Sequence, residues 1–217
     1  VMDTTETYDF GFDVSIEEID YNHGIHGVMD MCNLLRRNKK PYAIAVGHCD
    51  NSDVVRQTAR LVRAAVAAKN LDGLSVGVIG GSFKGMGDFL VDSKELKKTF
   101  GIKLLEADNH ELRSLLSSIS DSEVAAELAE NEQKFAKGED INEENYLYNI
   151  KACLSVRKWI EKHNLDAFSV NFLKIRDKTI DSMPFIEACK AMERGIGYAG
   201  EGDALTAAFV GAFLKVI

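Results

Sequence analysis

Leu74-Ser75-Val76-Gly77-Val78-Ile79 runs directly into Gly80-Gly81-Ser82-Phe83-Lys84-Gly85-Met86-Gly87-Asp88, and this stretch decides the fold. The apolar run of Leu74–Ile79 reads as a β-strand, and the glycine-rich segment after it as the loop into which that strand opens. A helix stands before it. Asp53–Ala68 opens on the cap-like Asn51-Ser52-Asp53 and buries Val54, Ala59, Leu61, Val62 and Val66.

The same alternation continues in both directions. Residues 25–37 set Ile25, Val28, Met29, Cys32 and Leu35 at steps of three and four, an amphipathic helix. Tyr42–Val46 follows Pro41 as a short apolar strand ending at Gly47-His48. Downstream, residues 102–106 and 168–173 read as strands, and 109–117, 122–136, 143–163, 184–194 and 204–217 as helices. Two prolines among 217 residues agree with long regular elements. Strands alternating with helices predict a three-layer α/β fold, a mainly parallel sheet with helices on both faces, in the manner of Rossmann or flavodoxin-like domains. The acidic stretch 121–145 reads as a solvated helix face.

With 46% hydrophobic residues the chain can bury one large or two small cores. A net charge of −8 argues against nucleic acid or an anionic membrane as partner. No apolar run approaches the roughly 20 residues of a membrane span. Cys32, Cys49, Cys153 and Cys189 form no Cys-x-x-Cys pair and read as reduced thiols of a cytoplasmic protein. The acidic start Val-Met-Asp-Thr-Thr-Glu is not a targeting peptide. It and the apolar end Phe-Leu-Lys-Val-Ile both read as cut ends of a longer chain.

Several groups could carry chemistry. Glu201 lies between Gly200 and Gly202, in backbone that other groups can approach closely, and Asp203 is a plausible N-cap for the helix that follows. Its carboxylate could face a metal ion or a small polar substrate, or be a solvated turn residue. His23 and His26 are three apart at a helix start, spaced to hold a metal or simply to satisfy nearby backbone. Ligands of open α/β sheets collect beyond the carboxyl ends of the strands. His48, the Phe83–Phe89 loop and Asn171-Phe172 all fall there. The Gly80-Gly81-Ser82 turn has neither dinucleotide nor P-loop spacing, and no Gly-x-Ser-x-Gly elbow is present.

Gly197-Tyr-Ala-Gly-Glu201-Gly-Asp203, with Thr206-Ala-Ala208 three residues on, resembles the segment of the L-arabinose isomerase family that carries a manganese-binding, catalytic glutamate. That family includes L-fucose isomerase-like proteins. His23-Gly-Ile-His26-Gly, Val46-Gly-His48, Met86 in Gly-Met-Gly-Asp-Phe, Ser118-Ile-Ser-Asp121 and Ala167-Phe-Ser-Val-Asn-Phe172 follow in the family's order at similar spacing. The resemblance covers nearly the whole chain.

The resemblance implies an aldose–ketose isomerase for a sugar such as L-arabinose or L-fucose, working through an enediol with Mn²⁺ as cofactor. It implies that Glu201 is both a metal ligand and a catalytic proton carrier. His26, His48, Met86, Ser169 and Phe172 are implied sugar contacts; the family commonly has Gln in place of His23 and Thr in place of Ser169. Residues 1–72 would be the tail of the N-terminal α/β domain and 73–217 the central α/β domain. A second glutamate and two histidines would lie beyond Ile217, so the fragment alone should bind metal weakly and be inactive. The full protein is expected to be a homo-oligomer, trimer or hexamer. A non-catalytic sugar-binding module, or a structural or oligomer-forming part of a larger enzyme, are the alternatives.

Overall fold

The computed structural model describes residues 1–5, 7–8, 11–87, 89–175 and 180–217. Glu6 of the acidic start and Asp88 of the glycine-rich loop lie outside the described residues. Contacts divide the chain into two compact units, Val1–Val66 and Ala67–Ile217.

The first unit holds strand β1 (Met2–Asp3), helices α1 (Ile16–Tyr21) and α2 (Ile25–Arg37), strand β2 (Ala45–Val46) and most of helix α3 (Val54–Leu71). β1 and β2 pair in parallel, Met2 opposite Ala45 and Asp3 opposite Val46. The expected strand 42–46 thus contracts to its last two residues. α1 was not expected, although its signature is present: Ser15 accepts from the Glu18 N–H while Glu18 accepts from the Ser15 N–H, a reciprocal capping box.

The second unit is a layered sheet. Its strands are β3 (Ser75–Ile79), β4 (Lys103–Glu106), β5 (Ala167–Val170) and β6 (Gly197–Gly200), in the spatial order β4-β3-β5-β6 with every pair parallel. The helices between them are α4 (Ser93–Phe100), α5 (Asn109–Ser117), α6 (Asp121–Lys134), α7 (Glu143–Lys162), α8 (Phe172–Ile175), α9 (Phe185–Glu193) and α10 (Ala204–Leu214). β3 and β5 are central and buried on both faces, which is why their sequences are almost wholly apolar.

On one face Leu112, Val156, Trp159, Ile160 and Ala188 of α5, α7 and α9 pack against Ile79, Phe168 and Val170. On the other, Leu96 of α4 and Ala204, Ala207, Ala208 and Ala212 of α10 pack against Val76, Val78 and Ala167. The expected three-layer α/β architecture is thereby formed. Burying a side chain such as Phe168 contributes about 2–3 kcal/mol.

Two glycines make the close packing possible. A Cβ on Gly77 would stand 2.3 Å from Trp159 Cη2, and one on Gly197 would stand 2.1 Å from the Ala207 carbonyl oxygen. The second contact explains a correction. The sequence predicts no strand at residues 197–200, yet Gly197 begins β6, and its missing side chain lets α10 lie on the strand. Residues 168–173 also differ from expectation: the strand is Ala167–Val170, and Phe172 opens α8.

Candidate functional site

Strand order reverses between β3 and β5: β4 lies beyond β3, and β6 lies beyond β5. A crevice opens beyond the carboxyl ends of strands at such a switch point. Here the two bordering segments are Gly80–Phe83 after β3 and Asn171-Phe172 after β5, with Glu201-Gly202 after β6 as the next neighbour.

Hydrogen bonds tie these three segments together. The Asn171 side-chain amide donates to the Gly80 carbonyl at 3.2 Å. The Ser82 hydroxyl donates to the Gly202 carbonyl at 2.8 Å, and the Phe83 N–H donates to the Glu201 carbonyl at 3.2 Å. The Phe83 and Phe172 rings meet edge to face, 4.8 Å between centroids. Gly202 has φ +80°, and a Cβ there would stand 2.3 Å from the Gly81 carbonyl oxygen. Only glycine fits.

Glu201 itself has φ +63°. The left-handed conformation costs a side-chain-bearing residue about 1–2 kcal/mol. The two hydrogen bonds from Ser82 and Phe83, each worth about 1 kcal/mol net, are of the size needed to offset it. The strained turn is therefore held by its neighbours, and it projects the half-exposed Glu201 carboxylate from the carboxyl end of β6. Asp203 caps α10 as expected, accepting from the Thr206 N–H at 2.9 Å.

The remaining expected residues are placed as follows. Met86 is 44% exposed, three residues beyond Phe83 in the same loop. Phe172 is 39% exposed at the start of α8. Ser169 departs from expectation. It is 0% exposed, and its hydroxyl donates to the carbonyls of Ala199, at 2.7 Å, and Gly200, at 3.1 Å. With its one proton so engaged, Ser169 braces β6 rather than facing a sugar.

His26 and His48 belong to the first unit. The Asp3 carboxylate, at the end of β1, comes within 2.9 Å of where a Gly24 Cβ would stand, beside the start of α2. There the His23 and His26 rings meet edge to face with their Nδ1 atoms 3.3 Å apart, so they satisfy each other rather than the backbone. His48 follows β2, and its Nδ1 accepts from the Asp50 and Asn51 N–H groups, both at 3.1 Å. His48, Cys49 and Asp50 bring one ligand atom each within 4.8 Å of one another. The Nδ1 lone pair of His48 is already engaged by those two backbone N–H groups, so that atom is not available to a metal.

Sequence reasoning also overlooked a charged cluster. Glu127, in the stretch expected to be a solvated face, is 3% exposed. Arg157 donates to both of its oxygens, at 2.7 and 2.8 Å, and to Glu187 at 2.8 Å, while Lys190 donates to Glu127 at 2.7 Å. Glu130 joins it through Lys190, and Arg194 through Glu187. Burial pushes the Glu127 carboxyl up, but the Arg157 and Lys190 hydrogen bonds outweigh it and hold the group below the usual range. The buried Glu127 and Glu187 are thus paired by Arg157, Lys190 and Arg194, tying α6 and α7 to α9, the pattern of a structural network. A cavity of about 550 Å³ near it, lined by Leu128, Asn131, Phe135, Ile141 and Tyr146, touches none of the expected site residues.

Residues 91–217 match the family model for the L-arabinose isomerase central domain. The chain is 24% identical over 209 residues to an L-arabinose isomerase of Flavobacterium johnsoniae, covering 94% of this chain and 41% of that protein. It is likewise 24% identical to the L-arabinose isomerases of Pediococcus pentosaceus, over 90% of this chain and 42% of the relative, and of Thermotoga petrophila, over 94% and 41%. The chain thus spans about two fifths of the length of the curated relatives it matches.

Proposed function

The chain belongs to the L-arabinose isomerase central-domain family, and from that membership we propose that the whole protein is an aldose–ketose isomerase acting on L-arabinose, L-fucose or a closely similar sugar. The observation that carries the reading is Glu201: a carboxylate, within the matched residues, held in a left-handed turn beyond the carboxyl end of a parallel strand.

Moving a proton between C2 and C1 through an enediol needs a base beside the C2 hydrogen and positive charge near O1 and O2. Glu201 fits the first need, since a carboxylate can take up and return a proton. For the second, a divalent ion such as Mn²⁺ would supply the charge, and oxygen donors suit it. Glu201 would be one of its ligands. One carboxylate makes a weak site, so residues 1–217 alone should bind Mn²⁺ poorly and turn over no sugar.

Phe172 and the Met86 loop would provide the apolar wall against the sugar's carbons. In the first unit His26 and His48 would serve as hydroxyl partners. We further place the protein in the cytoplasm, as a trimer or hexamer. The four cysteines are unpaired, in keeping with a reducing compartment.

The test is turnover of L-arabinose and L-fucose by the full-length protein with Mn²⁺ present, read as ketose formed, beside calorimetric titration of each sugar. Metal-dependent turnover is expected. Metal-independent sugar binding without turnover would instead identify a sugar-binding module, and neither binding nor turnover a structural part.

A further inference from the structure

Glu201 stands in a left-handed conformation, and the segment that bonds its turn is Ser82-Phe83. The two residues act on two different partners at once. The Ser82 hydroxyl and the Phe83 N–H hold successive carbonyls, Gly202 and Glu201, at 2.8 and 3.2 Å. The Phe83 ring stands edge-on to Phe172, 4.8 Å away. Gly81, the residue before them, presses its carbonyl into the space that a side chain on Gly202 would fill.

We infer that Ser82-Phe83 is the positioning element of this site, fixing the Glu201 turn and the Phe172 ring in one register. This rests on the isomerase reading of Glu201. Ser82 is a positioning residue and not a catalytic one, since its hydroxyl proton is spent on backbone and is not free for substrate. The consequence is specific. Removing the hydroxyl frees the left-handed turn to relax, so the carboxylate spends less of its time where a proton can be exchanged. Sugar affinity, set mainly by other groups, should change little.

The experiment compares Ser82→Ala and Ser82→Thr in the full-length protein, with Glu201→Gln alongside. Two readouts are taken: hydrogen–deuterium exchange at the Phe83 amide, and kcat and KM for L-arabinose. Ser82→Ala should speed exchange at Phe83 and lower kcat by about five- to tenfold, the effect of one hydrogen bond, with KM within about twofold. Ser82→Thr, which keeps the hydroxyl, should restore both. Unchanged Phe83 exchange in Ser82→Ala overturns the clamp, as does an equal kcat loss in both variants. Those outcomes are separate from failure of the isomerase reading, which would show as full turnover in Glu201→Gln while the Phe83 amide is still loosened by Ser82→Ala.

Discussion

Gly202→Ala should destabilise the second unit far more than an ordinary glycine replacement. At φ +80° the added Cβ would stand 2.3 Å from the Gly81 carbonyl oxygen and 2.5 Å from Ser82 Cα. Both are backbone atoms and cannot rotate aside. The left-handed conformation costs alanine about 1–2 kcal/mol, and overpacking adds about 1–3 kcal/mol, so the loss should be about 2–5 kcal/mol. Two controls separate the contributions. Gly195→Ala has φ +82° but nothing within 4 Å of its Cβ, so it carries the conformational cost alone. Gly200→Ala, also with nothing within 4 Å, carries neither. Urea unfolding followed by fluorescence of Trp159 suits the comparison, because it is the single tryptophan and is fully buried in the second unit's core. The expected order of midpoints is Gly200→Ala highest, then Gly195→Ala, then Gly202→Ala. If Gly202→Ala loses no more than Gly195→Ala, the turn does not pack against the β3 loop and the argument for a held glutamate collapses.

Two further outcomes are expected. Glu127→Ala should cost about 3–5 kcal/mol at neutral pH by leaving buried cations short of a partner. Because the Glu127 carboxyl is held below its unfolded value near 4.3, its contribution is complete above that value and disappears as pH falls through the folded value. The stability gap between wild type and Glu127→Gln should therefore narrow between pH 7 and pH 3, and a gap independent of pH would contradict the assignment. Burial pushes the Cys153 thiol up to about 12, and it is 1% exposed, whereas Cys49 and Cys189 are exposed. An aromatic disulfide reagent at pH 8 should label Cys49 and Cys189 in the native protein and Cys153 only in denaturant; native labelling of Cys153 at a comparable rate would refute the packing around α7.

Much of the fold is legible in the sequence where burial is uniform or strictly periodic. Leu74–Ile79 is apolar throughout because β3 is covered on both faces, and α2, α5, α7 and α9 show themselves by helical spacing. What escapes is local pattern overridden by packing. β6 is spelled Gly-Tyr-Ala-Gly, poor strand material, and exists because Gly197 lets α10 approach to contact. α4 is missed because Leu96 is its one fully buried residue and only Phe100 besides it is apolar. Of the candidate site, Glu201, Met86 and Phe172 are legible by resemblance. The groups that hold Glu201 are not. Ser82 meets Gly202 across 120 residues of sequence, a contact with no local signature. Ser169 misleads for a related reason, since a hydroxyl in a strand reads the same whether it faces a ligand or bonds the neighbouring strand's carbonyls.

The measurement that bears most directly on the account is turnover of Glu201→Gln in the full-length protein with Mn²⁺ supplied. Gln keeps the size of the side chain and its capacity to hydrogen-bond, and it tolerates the same backbone conformation, but it removes the charge that would hold a metal and the basicity that would move a proton. The account predicts unfolding within about 0.5 kcal/mol of wild type, together with isomerisation reduced by several orders of magnitude, far beyond the tenfold that about 1.4 kcal/mol of barrier represents. Retention of more than about a tenth of wild-type turnover, again near that 1.4 kcal/mol unit, would make Glu201 a turn residue and contradict the proposed chemistry.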